Sequence, residues 1–284
     1  QIFMNTIDSE RHETSVVVTL NNPDAFNALA PNMTDDLVQA LREAAADRSC
    51  RAIILTGAGQ TAFCAGIDVK SVAARDASAA AAIGDRLDPV AQGFESLHHH
   101  LSSMIRTIHT LPIPVISAVN GHAIGAGFAL AAASDLRVAG TNAKFADGFI
   151  GRGISGCELG LSYFLPKLVG ASVAFDWMLT GRRVKVDEAA RSGFIGQVVD
   201  PADTVETALA LGRSIAELAP MAVSMTKEVM WSNLHAASLD QALALEGRTQ
   251  AMTRTTADAV EARLSFLEKR PPVFKEPSNP RIVR

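Results

Sequence analysis

Aromatic residues are scarce in this sequence. Phe, Tyr and Trp make up 5% of the 284 residues, with one tyrosine and two tryptophans. Yet 48% of the residues are hydrophobic, so the core must be built mostly from small aliphatic side chains, alanine prominent among them. Cysteine is nearly missing as well. Cys50, Cys64 and Cys157 are too few and too scattered for a disulfide framework or a metal knuckle, and they fit a reducing compartment. Excess positive charge is absent: a net charge of −4 leaves no basic footprint for nucleic acid. No uninterrupted apolar run approaches the roughly 18 residues that suggest a membrane span. The first residues, Gln1-Ile2-Phe3-Met4, lack the charged-then-apolar order of a signal peptide. A cytoplasmic protein with neither nucleic-acid nor membrane partners is expected.

What the sequence does have is glycine at strand ends. Pro112-Ile113-Pro114-Val115-Ile116-Ser117-Ala118-Val119 reads as an apolar strand. Asn120-Gly121-His122-Ala123-Ile124-Gly125-Ala126-Gly127 follows as a turn, and Phe128 to Ala133 reads as a buried helix. Small residues let a ligand approach the backbone. The first N–H groups of a helix have no partner within it and sit at its positive end. The device recurs upstream, where Arg51 to Gly57 is a short apolar strand and Ala62-Phe63-Cys64-Ala65-Gly66-Ile67-Asp68-Val69-Lys70 a second glycine turn. Two backbone N–H groups from separate turns can converge on one oxygen. Such an oxyanion hole suits a thioester carbonyl becoming an enolate or a tetrahedral adduct, and one donor contributes on the order of a hundredfold to a thousandfold in rate.

Elsewhere, Thr14 to Leu20 reads as a strand, and Met33, Leu37 and Leu41 predict an amphipathic helix from Pro31 to about Arg48. Ser71 to Ala82 reads as an alanine-rich flap, and Val90 to Leu111 as a long helix carrying His98-His99-His100. Adjacent histidines point in different directions on a helix, so no metal is expected there. Asp135 to Ala139 and Lys144 to Asp147 read as short extended pieces, and Gly148 to Gly160 as a glycine-rich loop extending through Leu165 to Gly170. Helices are predicted over 172–180, with Ser172 as its cap, and over 186–192, 205–218, 220–232 and 238–267, with a strand at 196–199. The first two-thirds alternates strands and helices and the last third is nearly all helix, which makes the fold α/β with a helical appendage after about residues 200–206.

Four ordered stretches resemble the enoyl-CoA hydratase/isomerase (crotonase) superfamily. They are Asn21 to Leu29, Ala62 to Lys70, Ala118 to Gly127 with Ser134-Asp135, and Ser265 to Phe274. The resemblance implies a crotonase-like spiral of ββα turns over residues 1–205, binding acyl-CoA. It also implies a C-terminal helical oligomerisation region over 206–284. It implies a homotrimer, or a hexamer built as a dimer of trimers, and no cofactor beyond the coenzyme A of the substrate. Carried over by position, Ile67 and Ala126 supply the oxyanion N–H groups. Ala25 and Phe26 lie along the CoA nucleotide, and Ala65, Asp68 and Val69 along the pantetheine or adenine. Lys70, Phe266 and Lys269 are candidates for the CoA phosphates and adenine. Asp24 stands where the family often has a basic residue.

The sequence departs from the family at the proton-moving positions. Hydratases of the family use two glutamates to add water across a double bond; the matching positions here are Ala129 and Phe149. The nearest acid is Glu158, which falls where peroxisomal-type Δ3,Δ2-enoyl-CoA isomerases keep their single glutamate. One base beside a stabilised enolate suffices for a double-bond shift, and an apolar, glycine-lined setting would raise its pKa. The expected activity is therefore enoyl-CoA isomerisation. The alternatives are a catalytically silent acyl-CoA-binding protein, or hydration or thioester hydrolysis with another acid such as Asp147. Asp147 itself reads as a turn residue, Cys157 as a buried thiol, His122 as a ligand of local backbone, and Tyr163, Trp177 and Trp231 as structural.

Overall fold

A computed structural model describes residues 6–30, 32–68 and 100–275. The predicted flap at 71–82, the first part of the helix predicted from Val90, and Pro31 lie outside the described residues.

Two sheets share the strands. The larger holds β1 (Ile7–His12), β2 (Ser15–Leu20), β3 (Ala52–Gly57), β5 (Val115–Val119), β7 (Leu136–Gly140) and β10 (Gln197–Val199) in that spatial order. The smaller holds β4 (Ala62–Cys64), β6 (His122–Ile124), β8 (Lys144–Ala146) and β9 (Val184–Lys185). Each of β3, β5 and β7 is followed by a partner that crosses into the smaller sheet, and the pairings are parallel except for β1 with β2 and β8 with β9. That alternation is the expected spiral of strand–strand–helix turns. The central strands are buried along their length and read as continuous apolar runs, as parallel strands covered on both faces do.

Helices cover both faces of the larger sheet. On one side stand α1 (Met33–Ala46), α2 (Ser102–Thr110) and α3 (Ala126–Ala133), whose Leu37, Leu41, Met104 and Phe128 join a core with Val18, Leu20 and Leu55. On the other side α7 (Thr204–Ala216) sets Ala208 and Leu209 against Val17, Ile54, Ile116 and Val138. The boundary expected after residue 205 falls inside α7, and the packing assigns that helix to the sheet. The few aromatics are pooled: Phe128, Phe145, Trp177 and Phe194 meet with ring centroids 5.2–6.3 Å apart.

Several elements differ from the sequence reading. The strand predicted from Pro112 begins at Val115, and the Asn120–Gly127 stretch holds a second strand, β6, before its helix. β1 escapes notice because it is an edge strand rich in charge, a pattern that discourages pairing with other chains and has no apolar alternation. Residues 161–169 form α4 (Leu161–Val169) rather than the end of a loop, with Pro166 inside. Proline there forfeits one backbone hydrogen bond, which burial of Leu161, Phe164 and Leu165 offsets. Ser172 is not a cap: α5 (Ala171–Thr180) starts from Gly170. Beyond α6 (Val186–Arg191) and α8 (Pro220–Asn233), the predicted helix over 238–267 is two, α9 (Leu239–Thr253) and α10 (Ala257–Glu268). The hydroxyls of Thr253, Thr255 and Thr256 donate to carbonyls three or four residues back, and Thr256 then accepts the Ala259 N–H as a helix cap.

The C-terminal arm is tied to the core by a buried ion pair. The Lys227 ammonium on α8 lies 2.8 Å from the Asp135 carboxylate and donates to the carbonyls of Ile108 and Ile113. Asp135 also accepts from the Trp231 indole at 2.7 Å and from the Val115 N–H at 2.8 Å.

Candidate active site

The two glycine turns lie side by side because β4 and β6 pair in parallel. Both turns need glycine. Gly66 has φ +102° and Gly125 has φ +56° with ψ −117°, conformations that side-chain-bearing residues avoid. Gly127 fixes their separation. A Cβ placed on it would lie 2.1 Å from the Cys64 carbonyl oxygen, so only glycine lets the first turn of α3 touch β4. Gly127→Ala is expected to destabilise the fold by about 1–3 kcal/mol through overpacking, read as a lower urea midpoint; an unchanged midpoint would refute this close approach.

The first turn is braced from the N-terminal motif. The Asn27 side chain, 1% exposed, donates to the carbonyls of Ala58 and Ala62 at 3.0 and 2.7 Å. Its Oδ1 accepts the Asn22 N–H. Phe26 and Asn27 are both left-handed, with φ of 54° and 57°. The Phe26 carbonyl accepts the Ala65 N–H, Leu29 donates to the Gly66 carbonyl, and Asp68 donates to the Leu29 carbonyl. The N–H groups of Ile67 and Ala126 donate to no backbone carbonyl among the described residues, and the same holds for Gly66 and for Gly127 and Phe128, the next residues of α3. Ala126 is the first residue of α3, at its positive end. Its nitrogen is 3.8 Å from the point where a Gly66 Cβ would stand. Two unused donors from neighbouring turns are the makings of an oxyanion hole.

No acid stands on the helix that carries this donor. All eight residues of α3, Ala129 included, are buried and uncharged. Phe149 is 7% exposed, and its ring tip meets the second turn: a Cβ on Gly125 would lie 3.3 Å from Phe149 Cζ and 3.7 Å from Gly66 Cα. The phenyl ring therefore reaches the second turn at Gly125, a placement that sequence reasoning, which treated Phe149 only as a missing acid, did not foresee.

Asp147 sets that ring. Its Oδ1 accepts the N–H groups of Phe149 and Ile150 at 2.8 and 3.3 Å, as a turn aspartate does. Glu158 follows on the loop that folds back here. Gly156 abuts Asp147, whose Oδ2 would be 2.9 Å from a Cβ at that position. Glu158 is half-buried, its Oε1 has no hydrogen-bond partner, and burial pushes its carboxyl above the ordinary range. The backbone after it is strained. Leu159 holds φ +49°, costly for a residue with a side chain, and Gly160 is left-handed beneath the Phe164 ring. Strain of this kind persists only where surrounding contacts enforce it, and it clusters at functional sites.

The remaining candidates separate. Ala65 and Asp68 belong to the first turn, Phe26 accepts the Ala65 N–H, and Ala25 adjoins Phe26 in a short 3-10 helix. Val69 and Lys70 lie outside the described residues. Phe266, 81% exposed, and Lys269, the left-handed cap of α10, stand on the surface of the arm. Cys157 is exposed, not buried, because its loop turns it outward between Gly156 and Glu158. His122 does not serve the local backbone: its Nδ1 is buried without a partner, and burial, Lys144 and Arg183 all lower its pKa. Tyr163 bonds His235 and lies under the Lys167 ammonium, while the Trp177 and Trp231 indoles donate to Glu188 and Asp135.

Known proteins resemble this chain along nearly its whole length. A family model described as enoyl-CoA hydratase/isomerase matches residues 10–277. A probable enoyl-CoA hydratase, EchA12 of Mycobacterium tuberculosis, is 38% identical over 262 residues, covering 91% of this chain and 88% of its own. A short-chain-enoyl-CoA hydratase of Clostridium acetobutylicum is 32% identical over 267 residues, covering 94% and 96%. The crystal structure of a probable enoyl-CoA hydratase/isomerase from Mycobacterium abscessus superposes with a TM-score of 0.85 at 36% identity, over 96% of this chain and 100% of that one.

Proposed function

Because the chain belongs to the enoyl-CoA hydratase/isomerase family, whose members act on acyl-CoA thioesters, we propose that it shifts the double bond of an enoyl-CoA with Glu158 as the proton shuttle. The observation that carries this is the replacement of both hydration positions by Ala129 and Phe149, while Glu158, half-buried, follows Gly156, which packs against Asp147. The relatives quoted above are named hydratases. The preference for isomerisation rests on this chain's own residues.

The chemistry follows from the parts. The Ile67 and Ala126 N–H groups hold the thioester oxygen where negative charge grows as a proton leaves the adjacent carbon. Glu158 takes that proton and returns it further along the chain. A carboxyl raised by desolvation is a stronger base when ionised and a competent acid when protonated. Asp147, with one oxygen committed to two N–H groups, is the less available carboxylate.

Purified protein assayed with 3-enoyl-CoA, 2-enoyl-CoA and saturated acyl-CoA separates the readings. Isomerisation gives 2-enoyl-CoA from the first substrate. Dominant 3-hydroxyacyl-CoA or free CoA would replace it with hydration or hydrolysis, and binding without turnover with a silent acyl-CoA carrier.

The pH dependence has a definite sign. Below its pKa Glu158 is protonated and cannot accept a proton, so activity falls with falling pH. Since burial raises that pKa, the acid limb of kcat/KM is expected above the ordinary carboxylate value of 4.5. A limb at or below 4.5 would assign the base elsewhere.

We also propose that the arm joins copies of the chain into a trimer or a pair of trimers. Leu239, Leu243, Leu264, Phe266 and Leu267 are all exposed on α9 and α10, an apolar surface unusual for a chain that stays alone. Such contacts would bring Phe266 and Lys269 to a neighbouring copy's CoA. Sedimentation at the mass of a single 30.0 kDa chain would refute the assembly.

A further inference from the structure

The Phe149 ring tip lies against Gly125 in the second oxyanion turn, 3.3 Å from where a Cβ on that glycine would stand. It is held there from two sides. Its N–H donates to Asp147 at 2.8 Å, and its side chain belongs to the same buried cluster as Ala126, Phe128 and Ala129. A bound water needs two to four polar partners. The side chains of Ala126, Phe128, Ala129 and Phe149 offer none, which leaves Asp147 Oδ2 and Glu158 Oε1 as the unpartnered side-chain oxygens of this loop.

We propose that Phe149 is the specificity-determining residue that keeps water away from the reacting carbons, so that the proton removed by Glu158 is the proton returned. This inference rests on the isomerase reading. For a 3-enoyl thioester, the Glu158 carboxylate takes a proton from C2. The C–H electron pair becomes the C1–C2 π bond, and the carbonyl pair moves onto oxygen beneath the Ile67 and Ala126 N–H groups. In the return step the oxygen pair re-forms the carbonyl and the C1–C2 pair moves to C2–C3. The C3–C4 π pair takes the proton from protonated Glu158 at C4. No water and no other reactant enters. Hydration would instead require water at C3 of the 2-enoyl product, and the phenyl ring excludes it. Solvent reaching protonated Glu158 would exchange its proton before the return.

The experiment is turnover of trans-3-hexenoyl-CoA in D2O, with the deuterium content of the trans-2-hexenoyl-CoA product read by mass spectrometry. The wild-type product is expected to retain mostly protium. Phe149→Ala is expected to raise deuterium per turnover several-fold, and Phe149→Leu, which keeps most of the core volume, to give an intermediate value. Should Phe149→Ala fail to fold, the leucine variant decides alone. A wild-type product already equilibrated with solvent, or folded variants with unchanged deuterium content, overturns the inference and leaves the isomerase reading standing. Absence of any 2-enoyl product from the wild type overturns the isomerase reading itself.

Discussion

Glu158→Gln lowers kcat for a 3-enoyl-CoA by roughly 10²–10⁴-fold, the span associated with a positioned acid–base group. The substitution keeps the shape of the side chain and leaves Ile67, Ala126 and the CoA-binding residues untouched. KM is therefore expected to change far less than kcat. Any residual activity loses its acid limb, because the amide does not titrate in that range. The interpretation needs the fold to survive. Glutamine suits this loop, since Glu158 is half-buried and its Oε1 has no partner to lose. Wild-type kcat in a folded Glu158→Gln protein would move the base elsewhere, and Asp147 is then the next carboxylate to replace.

Ala126→Pro is expected to reduce kcat/KM by on the order of 10²–10³-fold, the loss typical of one oxyanion donor. A backbone donor cannot be deleted by truncating a side chain, but proline removes the N–H itself. Ala126 is the first residue of α3, the one helical position where proline is well accommodated. The residue before it, Gly125, has ψ −117°, outside the helical region that a following proline disfavours. Stability should therefore suffer less than activity. Activity near wild type in a protein with an unchanged melting profile would mean that the thioester oxygen is held elsewhere.

Much of this site can be read in the residues alone, for a physical reason. Glycine is required twice over at each turn, once for backbone conformation and once for close approach, so Gly66, Gly125 and Gly127 advertise the turns without any knowledge of the fold. Glu158, by contrast, is reached only through the family resemblance, counted back from Ser162-Tyr163-Phe164-Leu165-Pro166-Lys167 to the position of the isomerase glutamate. The spiral is harder to see. Its second strands, β4, β6 and β8, are three residues long, too short for any alternation to show, and their partners are distant in the chain. Burial is set by such distant partners. That is why Cys157 reads as buried when it is exposed, and why helix α4 runs through Pro166 where local rules end it. The Phe149 ring is the sharpest case. Its residue type is plain, but its contact with Gly125 depends on two loops distant in the chain meeting.

The knot at Asp135 also bears on how the chain is made. Trp231, which donates to that carboxylate, is 96 residues further along, and Lys227 stands close before it. At synthesis rates of about 5–20 residues per second, the aspartate waits roughly 5–20 s for its partners. Throughout that interval the carboxylate has the Val115 N–H and the nearby Arg137 charge but neither Trp231 nor Lys227. Docking of the arm at Asp135 therefore comes after synthesis of the strand and helix that the carboxylate joins.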